Sequence, residues 1–131
     1  MGVPRSLLFV PGSRPDRFAK AAATGADGLI LDLEDAVAPD GKEEAREAVA
    51  SFLQNRNGMG QTIVVRINPL SRVCGLQDLA ALAGLNADCI LVPKVESAAH
   101  IHAVASVLDD VGSSTRIAAL IESARGVSAC A

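Results

Sequence analysis

Asp32, Glu34 and Asp35 place three carboxylates within four residues. Such groups do not stay buried and ionised together without cations, because desolvation and mutual repulsion raise their pKa values. Arg66 and Lys94 are the residues that supply the balancing charge. Glu122 directly follows an apolar run and is itself followed by small residues. Two chemistries fit this set. One is an internal ion-pair layer that caps a sheet. The other is a hard-cation site, since Mg²⁺ takes one or two carboxylates plus substrate oxygens while a guanidinium clamps an oxyanion. On that second reading Glu122 is the ligand candidate.

A second group, Ser13, Arg14, Arg17 and Lys20, surrounds the start of a helical stretch, where backbone N–H groups favour anions. A phosphate-bearing ligand and an ordinary solvated flank both fit it. No GxGxxG or Walker pattern is present, so nucleotide-motif enzymes are not supported. Cys74, Cys89 and Cys130 are odd in number and scattered, which argues against a disulfide framework or a zinc site. Cys89 opens an apolar run and reads as core, Cys74 as a loop thiol and Cys130 as part of a terminal tail. His100 and His102 read as exposed or half-buried helix residues.

The elements that must position these groups follow from the apolar runs Leu7–Val10, Leu29–Leu33, Thr62–Ile67, Cys89–Val92 and Arg116–Ile121. Their continuous apolarity predicts strands buried on both faces, as in a parallel sheet. Helical spacing lies between them: a start at Ser13–Asp16 with a stop at Gly25, then Asp40–Leu53, Gln77–Gly84 and Ser97–Leu108. The order is β-α-β-α-β-α-β-α-β, with strands starting about every 27 residues, or roughly four and a half βα units. A closed (β/α)₈ barrel needs about 250 residues, whereas an open doubly wound sheet is complete with about five strands. Length alone therefore favours the open sheet. After Arg116–Ile121 the sequence leaves little room for a helix to cover the fifth strand, so its apolar surface is expected to lie open. In either fold, ligands sit at the carboxyl ends of strands, where Asp32, Glu34, Asp35, Arg66, Lys94 and Glu122 all fall.

At 131 residues, half of them hydrophobic, the chain reads as one folded domain over residues 1–131. A net charge of −3 with no Tyr or Trp gives neither the electrostatic footprint nor the stacking surface of a nucleic-acid binder. No apolar run approaches the ~18 residues of a membrane span, and Met1–Ser6 lacks the features of a signal peptide, which leads us to expect a cytoplasmic protein.

Five segments together resemble the citrate lyase beta-subunit (CitE-like) family within the HpcH/HpaI aldolases. They are Arg5–Pro15, Leu31–Val37, Val65–Asn68, Val92–Ser97 and Leu120–Val127. The resemblance implies a partial (β/α)₈ barrel, about its first five strands and four helices. It implies a Mg²⁺-dependent carbon–carbon lyase acting on a 3-hydroxyacyl thioester such as citryl-CoA or malyl-CoA, with an oxo acid and a CoA thioester as small-molecule partners. Arg66 would hold an oxygen of the oxo acid and Glu122 would ligate Mg²⁺ and face the substrate. Asp32, Glu34 and Asp35 would orient Arg66 and the metal waters, and Arg14, Arg17 and Lys20 would face the coenzyme A phosphates. In such proteins a second metal carboxylate, an Asp, follows the sixth strand, and a carboxy-terminal segment reaches a neighbouring subunit, so a homo-oligomer is expected. Two other readings remain: a CoA-independent oxo-acid aldolase, and a non-catalytic half-barrel interaction protein.

Overall fold

Residues 2–131 are described by a computed structural model. The five apolar runs form strands β1 (Leu7–Pro11), β2 (Gly28–Asp32), β3 (Thr62–Arg66), β4 (Cys89–Val92) and β5 (Arg116–Ala119). Helices α1 (Phe18–Ala22), α2 (Lys42–Asn55), α3 (Val73–Leu82), α4 (Ala98–Asp110) and α5 (Ala124–Ala129) follow them one by one. Every pairing is parallel and the strand order is β1-β2-β3-β4-β5. That order overturns the open doubly wound sheet favoured by length. A doubly wound sheet reverses direction at a switch point, whereas here each crossover advances one strand the same way, as in the arc of a (β/α)₈ barrel.

Side chains alternate across the sheet. One face carries Leu29, Leu31, Leu33, Ile63, Val65, Ile67, Ile90 and Val92 into a single core with the helix residues Phe18, Ala45, Val49, Leu53, Leu79, Leu82, Val104 and Leu108. The other face carries Phe9, Ile30 and Val64 in one register row, and Asp32, Arg66 and Leu91 in the row above, at the carboxyl ends. β2 and β3 are buried almost throughout, as their composition predicts. β1 and β5 are not: Leu7, Leu8 and Phe9 are exposed, and β5 is at best half-buried. They are the edges of the sheet, so their apolarity has no neighbour to meet.

Several further expectations are corrected. The fifth strand does have a helix after it: Ser123 caps α5 by accepting a hydrogen bond from Gly126 N at 3.0 Å. β5 ends at Ala119 rather than Ile121. Helix α3 starts at Val73, four residues before Gln77, and thereby takes Cys74 out of a loop. That early start rests on Gly75, a close-approach residue, because a Cβ there would lie 2.1 Å from the Pro69 carbonyl oxygen. Cys89 is half-buried rather than core; burial raises its thiol pKa, the ordinary behaviour of an inert cysteine.

Candidate active site at the strand ends

Asp32 and Arg66 end adjacent parallel strands and pair directly in register, so both side chains leave the same face. The Arg66 guanidinium donates from Nε to Asp32 Oδ1 and from Nη2 to Asp32 Oδ2, both at 2.7 Å. Asp32, 1% exposed, also accepts from the amides of Glu34 (2.9 Å) and Ala36 (3.0 Å), which folds the loop after β2 back over the strand. Burial pushes the Asp32 carboxyl up, but the Arg66 and amide hydrogen bonds outweigh it and hold the group below the usual carboxylate range. The same pairing raises Arg66. The Arg66 guanidinium carbon stands 4.9 Å over the Phe9 ring, a cation–π contact from the neighbouring strand but one. Phe9 was not among the residues singled out from the sequence; its register with Ile30 and Val64 is what brings it here.

Asp32 occupies only the Nε/Nη2 edge of a five-donor fork. Arg66 Nη1 points instead toward Glu34 Oε1, 3.5 Å away, a buried oxygen that accepts no hydrogen bond. The other Glu34 oxygen, Oε2, accepts from Lys94 Nζ at 2.5 Å. This contact raises Lys94, with the nearby charges of Asp35 and Glu122 adding to it. Asp35 is exposed and reaches Lys94 only at 4.0 Å. Glu122 is also exposed, and its Oε1 accepts from the backbone N–H of Lys94 at 3.0 Å. Ser123 donates to Glu96 Oε1 at 2.8 Å, and Gly126 lets α5 close on the Val95 carbonyl, where a Cβ would stand at 2.5 Å. These contacts fix the start of α5 and with it Glu122.

The structure thus brings Asp32, Glu34, Asp35, Arg66, Lys94 and Glu122 into one chain of contacts. Arg14 and Lys20 stand apart from it. With Arg17 they line a cleft beside Phe9 and Pro11, and Arg14 is engaged by Asp16 at 2.8 and 2.9 Å. The expected helix start is weaker than the sequence suggests, because α1 has five residues and is entered through a 3₁₀ turn, Pro15–Arg17. What remains there is charge.

A supporting network went unnoticed in the sequence. Asp78 on α3, fully buried, accepts from Arg46 Nε (2.8 Å), Asn68 N (2.8 Å) and Asn68 Nδ2 (2.7 Å), while Asn68 Nδ2 also donates to the Leu33 carbonyl. Lys42 donates to the Leu33 and Glu34 carbonyls at 2.8 and 2.6 Å. The backbone under Glu34 is therefore held from α2 and α3 together. The groove above it, about 720 Å³, is lined by Glu34, Asp35, Lys94, Lys42, Arg46 and Arg72.

A family model described as HpcH/HpaI aldolase/citrate lyase matches residues 5–131. The chain belongs to this family. Among curated members it is 43% identical over 107 residues to a (3S)-malyl-CoA thioesterase of Cereibacter sphaeroides, covering 82% of this chain and 38% of the relative. It is 39% identical over 131 residues to a citrate lyase subunit beta of Leuconostoc mesenteroides, covering 94% and 43%. Among solved structures, a citrate lyase beta subunit of Mycobacterium tuberculosis complexed with oxaloacetate and magnesium superposes with a TM-score of 0.76 at 41% identity, covering 93% of this chain and 49% of that one. The chain spans less than half the length of these relatives. As an HpcH/HpaI-family domain it supplies five strands and their helices of the barrel arc, with its charged residues at the strand ends.

Proposed function

We propose that this chain carries the oxo-acid clamp and one metal carboxylate of a magnesium-dependent site that cleaves a carbon–carbon bond in a 3-hydroxyacyl-coenzyme A thioester of the citryl-CoA or malyl-CoA type. The observation that carries the reading is the Arg66 fork. Its Nε/Nη2 edge is locked by Asp32, which fixes the guanidinium plane, and Nη1, facing Glu34 Oε1 at 3.5 Å, is the donor left for an oxygen of the oxo acid.

The residues fit magnesium by donor type. Glu122 is a hard oxygen ligand, exposed, with one oxygen already oriented by the Lys94 amide. Mg²⁺ needs only one or two carboxylates when water and substrate oxygens complete its shell. Among the described residues no group of three or more His, Cys, Asp or Glu gathers for a metal, and Glu122 is the carboxylate this chain would contribute. The bound ion supplies Lewis-acid charge beside the substrate oxygens. In the cleavage, the bond between C2 and C3 of the acyl chain breaks. The 3-hydroxyl loses its proton and becomes the carbonyl of an oxo acid; the bonding electron pair remains on C2 as a thioester enolate, which then takes up a proton. Arg66 Nη1 binds the oxygen that changes from hydroxyl to carbonyl. Glu34 and Asp35 keep Arg66 and Lys94 in place, and Arg14, Arg17 and Lys20 provide positive charge for the coenzyme A phosphates.

The malyl-CoA thioesterase relative favours a second reading, hydrolysis of the thioester. Malyl-CoA separates the two: a lyase yields glyoxylate and acetyl-CoA, a thioesterase malate and free coenzyme A. Calorimetry tests the site itself. Arg66→Ala is expected to abolish oxaloacetate binding and Glu122→Ala to abolish Mg²⁺ binding, with circular dichroism unchanged. Parent-like binding by both variants refutes the assignment. A homo-oligomer belongs to the same reading; light scattering with and without Mg²⁺ and oxaloacetate tests it, and a monomer under both conditions refutes it.

A further inference from the structure

At the tops of three strand pairs the backbone ladder runs on in step: Gly12 N donates to Asp32 O, Leu33 N to Arg66 O and Ile67 N to Leu91 O. Between β4 and β5 it slips. Arg116 N donates to Asp88 O and Leu120 N to Val92 O, and the regular return bond would run from Lys94 N to Leu120 O. Val95 N takes that place at 3.2 Å. Lys94 is one residue too many for the ladder, and it sits in the left-handed region at φ 51°. An extra residue of this kind is a β-bulge, a device that redirects a side chain or a backbone group at the end of a strand. Its two products are both in the site: the amide freed from the ladder is bonded to Glu122, and the ammonium reaches Glu34.

We infer that Lys94 is a positioning residue whose bulge sets the Glu122 carboxylate for its metal, through a backbone amide displaced from the β4–β5 ladder. This inference rests on the magnesium reading above only for the metal itself. The side chain and the backbone are separable, because Lys94→Gly and Lys94→Val both remove the ammonium while only glycine accepts the left-handed conformation freely.

Titration of the 131-residue chain with MgCl₂ by calorimetry is expected to show the Lys94→Gly variant binding about tenfold more tightly than Lys94→Val, the factor that corresponds to a left-handed penalty at one residue. Equal dissociation constants overturn the inference. Amide hydrogen exchange gives a second readout that needs no metal and keeps Lys94 itself in place. Glu122→Ala is expected to speed exchange at Lys94 by about threefold or more while Val95, bonded to Leu120 O, keeps its rate. Unchanged exchange at Lys94 overturns the inference. A parent chain that binds no Mg²⁺ but shows this exchange pattern refutes the magnesium reading and leaves the positioning role standing.

Discussion

Replacing Asp32 by alanine removes the most connected carboxylate in the site. Two consequences add up. Arg66, only 12% exposed at its side chain, loses both hydrogen bonds of its Nε/Nη2 edge. The amides of Glu34 and Ala36 lose their acceptor. Breaking one partner out of a buried ion pair costs about 3–5 kcal/mol because the remaining charge stays uncompensated; here Glu34 Oε1 at 3.5 Å is a fallback for Arg66, which places the expectation at the low end, about 3 kcal/mol. Urea unfolding followed by circular dichroism measures this as a lower midpoint at constant slope. The pH dependence follows from the direction of the Asp32 shift. Its folded pKa lies below the ordinary value of 3.8, so its contribution is fully present above that value and is lost as pH falls through the folded pKa. The stability difference between parent and Asp32→Ala is therefore expected to be flat above about pH 5 and to shrink below about pH 4. A loss under about 1 kcal/mol, or a difference that does not change down to pH 3, refutes the argument that a desolvated ion pair anchors the site.

Two further outcomes are expected. Gly75→Ala drives a Cβ into the Asn68 and Pro69 carbonyls, and is expected to cost about 1–3 kcal/mol in thermal unfolding, while Gly84→Ala, with open space around it, stays within about 0.5 kcal/mol. Equal melting temperatures for the two variants contradict the close-approach role. Phe9→Ala removes the ring under Arg66 and is expected to weaken oxaloacetate binding by a factor of about two to five, in line with a half-exposed cation–π contact. Unaltered affinity shows that Asp32 alone orients the guanidinium.

The barrel arc was legible where local and global signals agree. β2 and β3 are continuous Val, Ile and Leu runs and are buried on both faces. Position alone grouped Asp32, Arg66, Lys94 and Glu122 at the carboxyl ends of β2 to β5, and the structure joins them through contacts, while Arg14 after β1 stands apart. Strand order was not, since equal spacing of βα units is common to open sheets and barrels; the segment resemblance, not the length, pointed the right way. Edge exposure was lost for a similar reason: Leu7–Val10 reads like Leu29–Leu33 until one knows that β1 has a neighbour on one side only. Gly75 and Asp78 were not singled out because their roles are tertiary: one makes room for a carbonyl and the other receives three hydrogen bonds. The Lys94 bulge depends on register between β4 and β5, which no single-strand pattern encodes.

Because each strand lies beside the one synthesised just before it, the site is also ordered in time. As the chain leaves the ribosome, Asp32 waits for Arg66, 34 residues later, and that pair can close once β3 docks on β2. Glu34 waits longer, for Lys94 at a separation of 60 residues, and Glu122 meets the Lys94 amide 28 residues after that. Neighbour-to-neighbour contacts keep the entropy of each closure small. Along the chain, both partners of the Asp32–Arg66 pair have therefore been made before Lys94 and Glu122.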